Sequence, residues 1–131
     1  MDRLFLDANV LFSAAYKADA RLFRLWRLTD VVLCSSRYAL EEARSNLEEE
    51  RQLRKLSTLS EKTQFFDAED HKLPRGISLP RKDVPILLAA IAARATHLLT
   101  GDVRHFGPYF GGNVAGVKIL LPGEYLRTIR Y

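Results

Sequence analysis

One cysteine in 131 residues excludes an internal disulfide. That residue, Cys34, stands in the apolar run Val31-Val32-Leu33-Cys34, which suits a small core residue of a reducing compartment better than a nucleophile. The chain also lacks a hydrophobic run of membrane length. Its longest uncharged stretch near the middle, Val84 to Ala93, is about half of what crosses a bilayer. The opening apolar run is cut by Asp7 before a secretory leader could form. No internal repeat, low-complexity tract or linker divides the chain, so it reads as one domain over 1–131, cytoplasmic and without membrane association. Strong one-sided charge is missing too. Twenty Lys plus Arg against sixteen Asp plus Glu leave +4, an excess that favours an anionic partner such as nucleic acid without demanding one. A hydrophobic content of 47% with 27% charged residues is that of a globular chain able to bury a core without disulfides or a structural metal.

What is present is an alternation. Arg3 to Leu6 is a continuous apolar strand of the kind buried on both faces of a parallel sheet. The segments 9–17 and 20–28 suit two short helices, with Phe12, Leu22, Leu25 and Trp26 as core contacts. Val31 to Cys34 is a second strand. Ser35-Ser36 offers an N-cap for one long helix to about Leu56, with Ala39, Leu40, Ala43 and Leu47 on its buried face and the cluster Glu48 to Lys55 solvated. A further helix is predicted over Leu59 to Ala68. The stretch 71–81 carries Pro74, Gly76 and Pro80 and is punctuation, with room for a short strand at Gly76 to Leu79. A helix apolar nearly all round, Val84 to Ala95, must be central. His97 to Thr100 and Val117 to Leu121 read as strands separated by a loop over Gly107 to Gly112, and Gly123 to Ile129 as a closing helix. Strands alternating with helices predict an α/β fold, a central parallel sheet of four to five strands flanked by helices.

Four acids sit where an acid is either a cap or a tool. Asp7 and Asp102 each follow a buried strand at its carboxyl end, where open α/β sheets collect ligands. Asp83 opens the most buried helix, with Pro85 in its first turn, and Glu42 lies on the long helix. At ~100° per residue, Glu42 projects ~100° from Ala43, the middle of the apolar face, and Glu41 ~160°, so Glu42 is better placed to reach a site. Singly, each acid has a plain structural reading: Asp7 or Asp83 as an N-cap, Asp102 as a turn residue after Gly101, Glu42 as a surface charge. Together they are carboxylates that repel one another unless protonated or neutralised by a cation. Oxygen-rich, cysteine-free ligand sets suit Mg²⁺ or Mn²⁺, ions that activate water and stabilise charge on a phosphodiester. Asn9 and Thr100 stand beside the acids, as orienting groups or as an ordinary local cap and strand residue. Arg81, Lys82, Arg104 and His105 flank them and could receive substrate phosphates, or could be surface charges. His105 lacks a His or Cys companion at ligand spacing.

With these residues assembled, the chain resembles the PIN-domain proteins, and in size the VapC-type toxin ribonucleases. The resemblance rests on Leu6-Asp7-Ala8-Asn9-Val10-Leu11, on Ser36 through Ala39-Leu40-Glu41-Glu42 to Leu47, on Asp83 opening an Ala/Leu/Ile-rich helix, and on Leu98-Leu99-Thr100-Gly101-Asp102 followed by Arg104-His105-Phe106. It implies a single PIN-like domain, Mg²⁺- or Mn²⁺-dependent cleavage of single-stranded RNA, and an acidic metal cluster of Asp7, Glu42, Asp83 and Asp102 supported by Asn9 and Thr100. It also implies a small antitoxin as partner and a homodimer. Many relatives carry a further acid shortly after the position of Asp102, where this chain has His105.

Two other readings stand beside the nuclease. One keeps the fold without catalysis, as an RNA-binding or partner-binding module. The other is a phosphatase or phosphotransferase with Asp7 as nucleophile; it needs a general acid two residues on, and the amide of Asn9 cannot donate and recover a proton.

Overall fold

The computed structural model describes residues 1–17, 21–68 and 72–129. The sequence feature that builds it is the opening apolar run. Leu4, Phe5 and Leu6 are all fully buried, so β1 (Asp2–Leu6) is covered on both faces and becomes an inner strand. It pairs in parallel with β2 (Val31–Ser35) on one side and with β4 (His97–Leu99) on the other, Leu4 lying opposite both Leu33 and His97. Two-residue β3 (Gln64–Phe65) extends the sheet beyond β2. On the far side β4 pairs with β6 (Val117–Leu120), and β5 (Asn113–Val114) adds an antiparallel edge. The sheet therefore has six strands in the order β3-β2-β1-β4-β6-β5, parallel except at that edge. This is one or two more than the four to five expected. Both uncounted strands, β3 and β5, are too short to show a period.

Helix α1 (Ala8–Tyr16) packs against both α2 (Arg37–Ser45) and α3 (Glu50–Glu61), and Ala8, Leu11, Ala39, Ala43 and Leu56 are buried in the core they share. A 3-10 helix, Arg21–Arg27, is tied to α3 by the Trp26 indole N–H, which donates to the Leu59 carbonyl at 3.1 Å. The expected start of that segment at Ala20 and the expected punctuation at His71 lie outside the described residues. Central α4 (Val84–Ala92) buries Ile86, Leu87, Leu88, Ala89 and Ala90. Short α5 (Val103–Phe106) and closing α6 (Pro122–Thr128) complete the helical layers. Among the described residues, no helix is long and apolar enough to cross a membrane.

Four local expectations are corrected. The helix expected from Ser36 to Leu56 is two. It stops at Asn46, whose N–H bonds back to Ala43 and Arg44, and restarts at Glu49, whose N–H donates to the Gln52 side chain at 3.3 Å. The helix expected over Leu59 to Ala68 is the end of α3 followed by β3. Gly76 to Leu79 is no strand: the hydroxyl of Tyr109 takes both backbone groups of Ser78, accepting its N–H at 2.9 Å and donating to its carbonyl at 3.1 Å. Finally, α4 ends at Ala92 rather than Ala95. Arg94 turns left-handed (φ 54°) and lets the Ala95 N–H close back on the Ala90 carbonyl, a stop usually made by glycine.

Candidate functional site

The chain runs from β1 through β2 to one side of the sheet and later returns through β4 to the other. The crevice outside the carboxyl ends of β1 and β4 is thus the point where winding reverses, and ligands of open α/β sheets gather at such a point. A cleft of about 440 Å³ opens there, and Asp7, Asn9, Glu42, Lys82, Asp83 and Asp102 all line it, with Phe12 and Asn46. All four acids singled out in the sequence share this cleft.

Asp7 follows β1 directly and is 3% exposed. One carboxylate oxygen accepts the Ala8 N–H at 2.6 Å, capping α1, while the other accepts the Thr100 hydroxyl at 2.8 Å. Capping and lining the cleft are therefore not alternatives here; the residue does both. Thr100, fully buried at the end of β4, also accepts the Asp102 N–H at 3.0 Å. Asn9 spans the two strand ends. Its amide N–H₂ donates to Thr100 Oγ1 at 3.3 Å, and its carbonyl accepts the Gly101 N–H at 2.8 Å. A Cβ on Gly101 would stand 3.3 Å from that Asn9 oxygen, so the close approach suits glycine. Burial pushes the Asp7 carboxyl up to about 6 against the hydrogen bonds from Thr100 and Ala8, and the charges of Asp83 and Glu42 add to the rise.

Asp83 ends the 3-10 turn Arg81–Asp83 and is 6% exposed. Burial and the neighbouring Asp102 raise its carboxyl, while the charges of His105 and Lys82 pull the other way. Asp102 caps α5 by accepting the His105 backbone N–H at 3.1 Å, and the His105 ring faces the acids. Its Nδ1 lies 2.7 Å from Asp83 Oδ2 and 2.9 Å from Asp102 Oδ2. Neither contact has hydrogen-bonding direction, so Asp83 Oδ2 and His105 Nδ1 are both buried without a directed partner. Oxygen and nitrogen atoms from Asp83, Asp102 and His105 lie within 4.8 Å of one another, the one such trio among the described residues. An orphaned buried carboxylate oxygen beside two further donors fits a bound cation.

Glu42 lines the cleft half-buried, whereas Glu41 is exposed and pairs with Arg44. Asp7 and Glu42 stand outside the tight trio but on the same cleft. Lys82 lines it and is exposed, and Arg81 and Arg104 are exposed neighbours in sequence of Lys82 and of α5's cap residue Asp102. His105, grouped with them in the sequence as a phosphate contact, instead faces the acids. The Asp102-x-x-His105 spacing on one helical turn was the signal for this. Tyr38 was not singled out: it is exposed, its hydroxyl donates to the Lys82 carbonyl at 2.8 Å, and burial together with the charges of Glu42, Asp83 and Asp7 raises its phenol.

A family model described as a PIN domain matches residues 3–104. Among solved structures, the chain is similar to one in VapBC2 from Rickettsia felis bound to a DNA fragment from their promoter. The TM-score is 0.63 at 17% identity, over 89% of this chain and 96% of that one. At that identity the likeness is one of fold. No curated protein matches in sequence.

Proposed function

The chain belongs to the PIN-domain family, whose members are in general nucleases, and from that premise we propose that it is a metal-dependent endoribonuclease acting on single-stranded RNA. The observation that carries this is the convergence of Asp7, Glu42, Asp83 and Asp102 on one cleft at the reversal point of the sheet. Mg²⁺ or Mn²⁺ would be held by Asp83 and Asp102, with Asp7 and Glu42 completing the charge set. When bound, such an ion supplies an activated water and offsets the charge that builds on a phosphodiester during in-line displacement.

The remaining work falls to the chain. Thr100 and Asn9 fix the Asp7 carboxylate so that it needs no reorganisation when substrate arrives. Lys82 lines the cleft beside the acids, and with Arg81 and Arg104 it receives RNA phosphates, holding the strand without reading its bases. Hydrolysis then leaves a 3′-hydroxyl and a 5′-phosphate. The fold likeness to a chain of VapBC2 supports a place in a toxin–antitoxin pair with a small antitoxin as partner; the homodimer rests on the family resemblance alone.

The test is cleavage of a mixed-sequence single-stranded RNA in Mn²⁺, Mg²⁺ and EDTA, with Asp7→Asn alongside. Cleavage that needs metal and falls by at least ~100-fold in the variant is expected, the order lost when a main transition-state group is removed. Full activity of Asp7→Asn would sink the assignment. The second reading, an RNA-binding or partner-binding module, is favoured by His105 standing where many relatives have an acid. It predicts RNA affinity that persists in EDTA, weakens with salt and gives no product.

A further inference from the structure

We propose that His105 is itself a metal ligand: Asp83, Asp102 and His105 Nδ1 form a mixed oxygen–nitrogen site that takes Mn²⁺ in preference to Mg²⁺. This deepens the reading of the cleft as a metal site and rests on it.

The three donor atoms lie within 4.8 Å of one another, with Nδ1 at 2.7 and 2.9 Å from the two carboxylate oxygens. Adjacent ligands of an octahedral ion about 2.1 Å away stand about 3 Å apart, so the spacing is that of neighbouring ligands. Direction supports the same conclusion. Were the imidazole only an internal counter-ion, its N–H would point at one of the carboxylates. It meets neither at hydrogen-bonding geometry, although Asp83 Oδ2 is buried and otherwise without a partner. The axis along which Nδ1 holds a proton is also the axis of its lone pair, and here that axis ends on neither oxygen. A third atom shared by all three groups accounts for both orphaned atoms at once.

The ring is also held for this role. The His105 backbone N–H donates to the other oxygen of Asp102, locking the i,i+3 pair on one turn, and the side chain is mostly buried. Ligation through Nδ1 requires the neutral ring with its proton on Nε2. An imidazole in place of a carboxylate removes one negative charge and adds a softer donor. Mg²⁺, which demands oxygen and gives up water reluctantly, loses most by that exchange, and Mn²⁺ loses less.

The experiment is Mn²⁺ titration of chelator-stripped protein, read by electron spin echo modulation of the bound ion, which senses a directly coordinated ¹⁴N. One imidazole nitrogen is expected. Its modulation should change to the ¹⁵N pattern when the protein is made with ¹⁵N-histidine, and vanish in His105→Asp while Mn²⁺ still binds. By calorimetry the wild-type preference for Mn²⁺ over Mg²⁺ should shrink by about tenfold or more in His105→Asp. Should that variant not fold, His71→Gln and His97→Gln make the assignment, since both must keep the signal. Bound Mn²⁺ without nitrogen modulation, modulation surviving in a folded His105→Asp, or no Mn²⁺ binding at all would each overturn the proposal. Nitrogen-ligated Mn²⁺ in a protein that cuts no RNA would leave this inference standing and remove the nuclease assignment.

Discussion

Asp7 is held in a state that water would not choose. Its carboxyl titrates near 6 in the fold and near 3.9 in an unfolded chain, so between those values the native protein binds the proton that the unfolded one has released. Stability from this residue is fully present below about pH 4 and is lost as pH rises through 6, at a cost of about 3 kcal/mol. Urea unfolding in EDTA should therefore show the stability of wild type, relative to Asp7→Asn, falling by roughly that amount between pH 4 and 7. Divalent metal should restore the loss above pH 6. A flat difference across that range would mean Asp7 is not desolvated as described. Thr100 offers a second handle. Thr100→Val keeps the shape of the side chain and removes the hydroxyl that both donates to Asp7 and accepts from Asp102. Mn²⁺ affinity should fall about 10–100-fold, as it does when an orienting partner of a ligand is lost, and urea unfolding should show a loss of about 1–3 kcal/mol from the buried partners left unpaired. At this scale Asp7, Asp83 and Asp102 were legible in the sequence because each stands where an apolar strand ends or an apolar helix begins, and Glu42 because it flanks the apolar face of α2. That the His105 ring faces the acids was not legible, because it depends on which way a ring points from a four-residue helix, and spacing to another His or Cys does not report that.

Elements were legible where burial imposes a pattern. β1, β2, β4, β6 and α4 are apolar because they are covered, and their residues say so. The break between α2 and α3 was invisible for the opposite reason. The helical spacing of Ala39, Ala43 and Leu47 runs straight into the break, which is made by backbone bonds at Asn46 and by the Gln52 side chain. The end of α4 was hidden because an arginine adopts the left-handed turn there. Strands β3 and β5 exist only through their neighbours, and two residues carry no period. The start of α2 is where this level can be tested. Ser36 is fully buried and its hydroxyl oxygen accepts the Ala39 N–H at 3.1 Å. Ser36→Ala should cost about 1 kcal/mol in urea unfolding, and because α2 carries Glu42 it should also weaken metal binding. No change in stability would show that the cap is not formed in solution.

The molecule as a whole is tied together by α4 and by β1. Leu87 is fully buried in the core. Leu87→Ala should cost about 2–5 kcal/mol, the range for buried leucines, read as a drop in the urea midpoint at unchanged slope; a smaller loss would mean the helix repacks. Cys34, buried on β2 with its thiol pushed up to about 11, should not react with a thiol reagent at neutral pH until the protein unfolds.

Timing follows from the pairing of β1 with β4. Asp7 is made 93 residues before Thr100, which holds its carboxylate, and earlier still than Asp102, which completes its surroundings. At about 5–20 residues per second, roughly 5–20 s pass with the Asp7 carboxylate made and no cleft around it. On the proposed nuclease reading, a product terminated before residue 102 would lack the assembled acid cluster and would cut nothing.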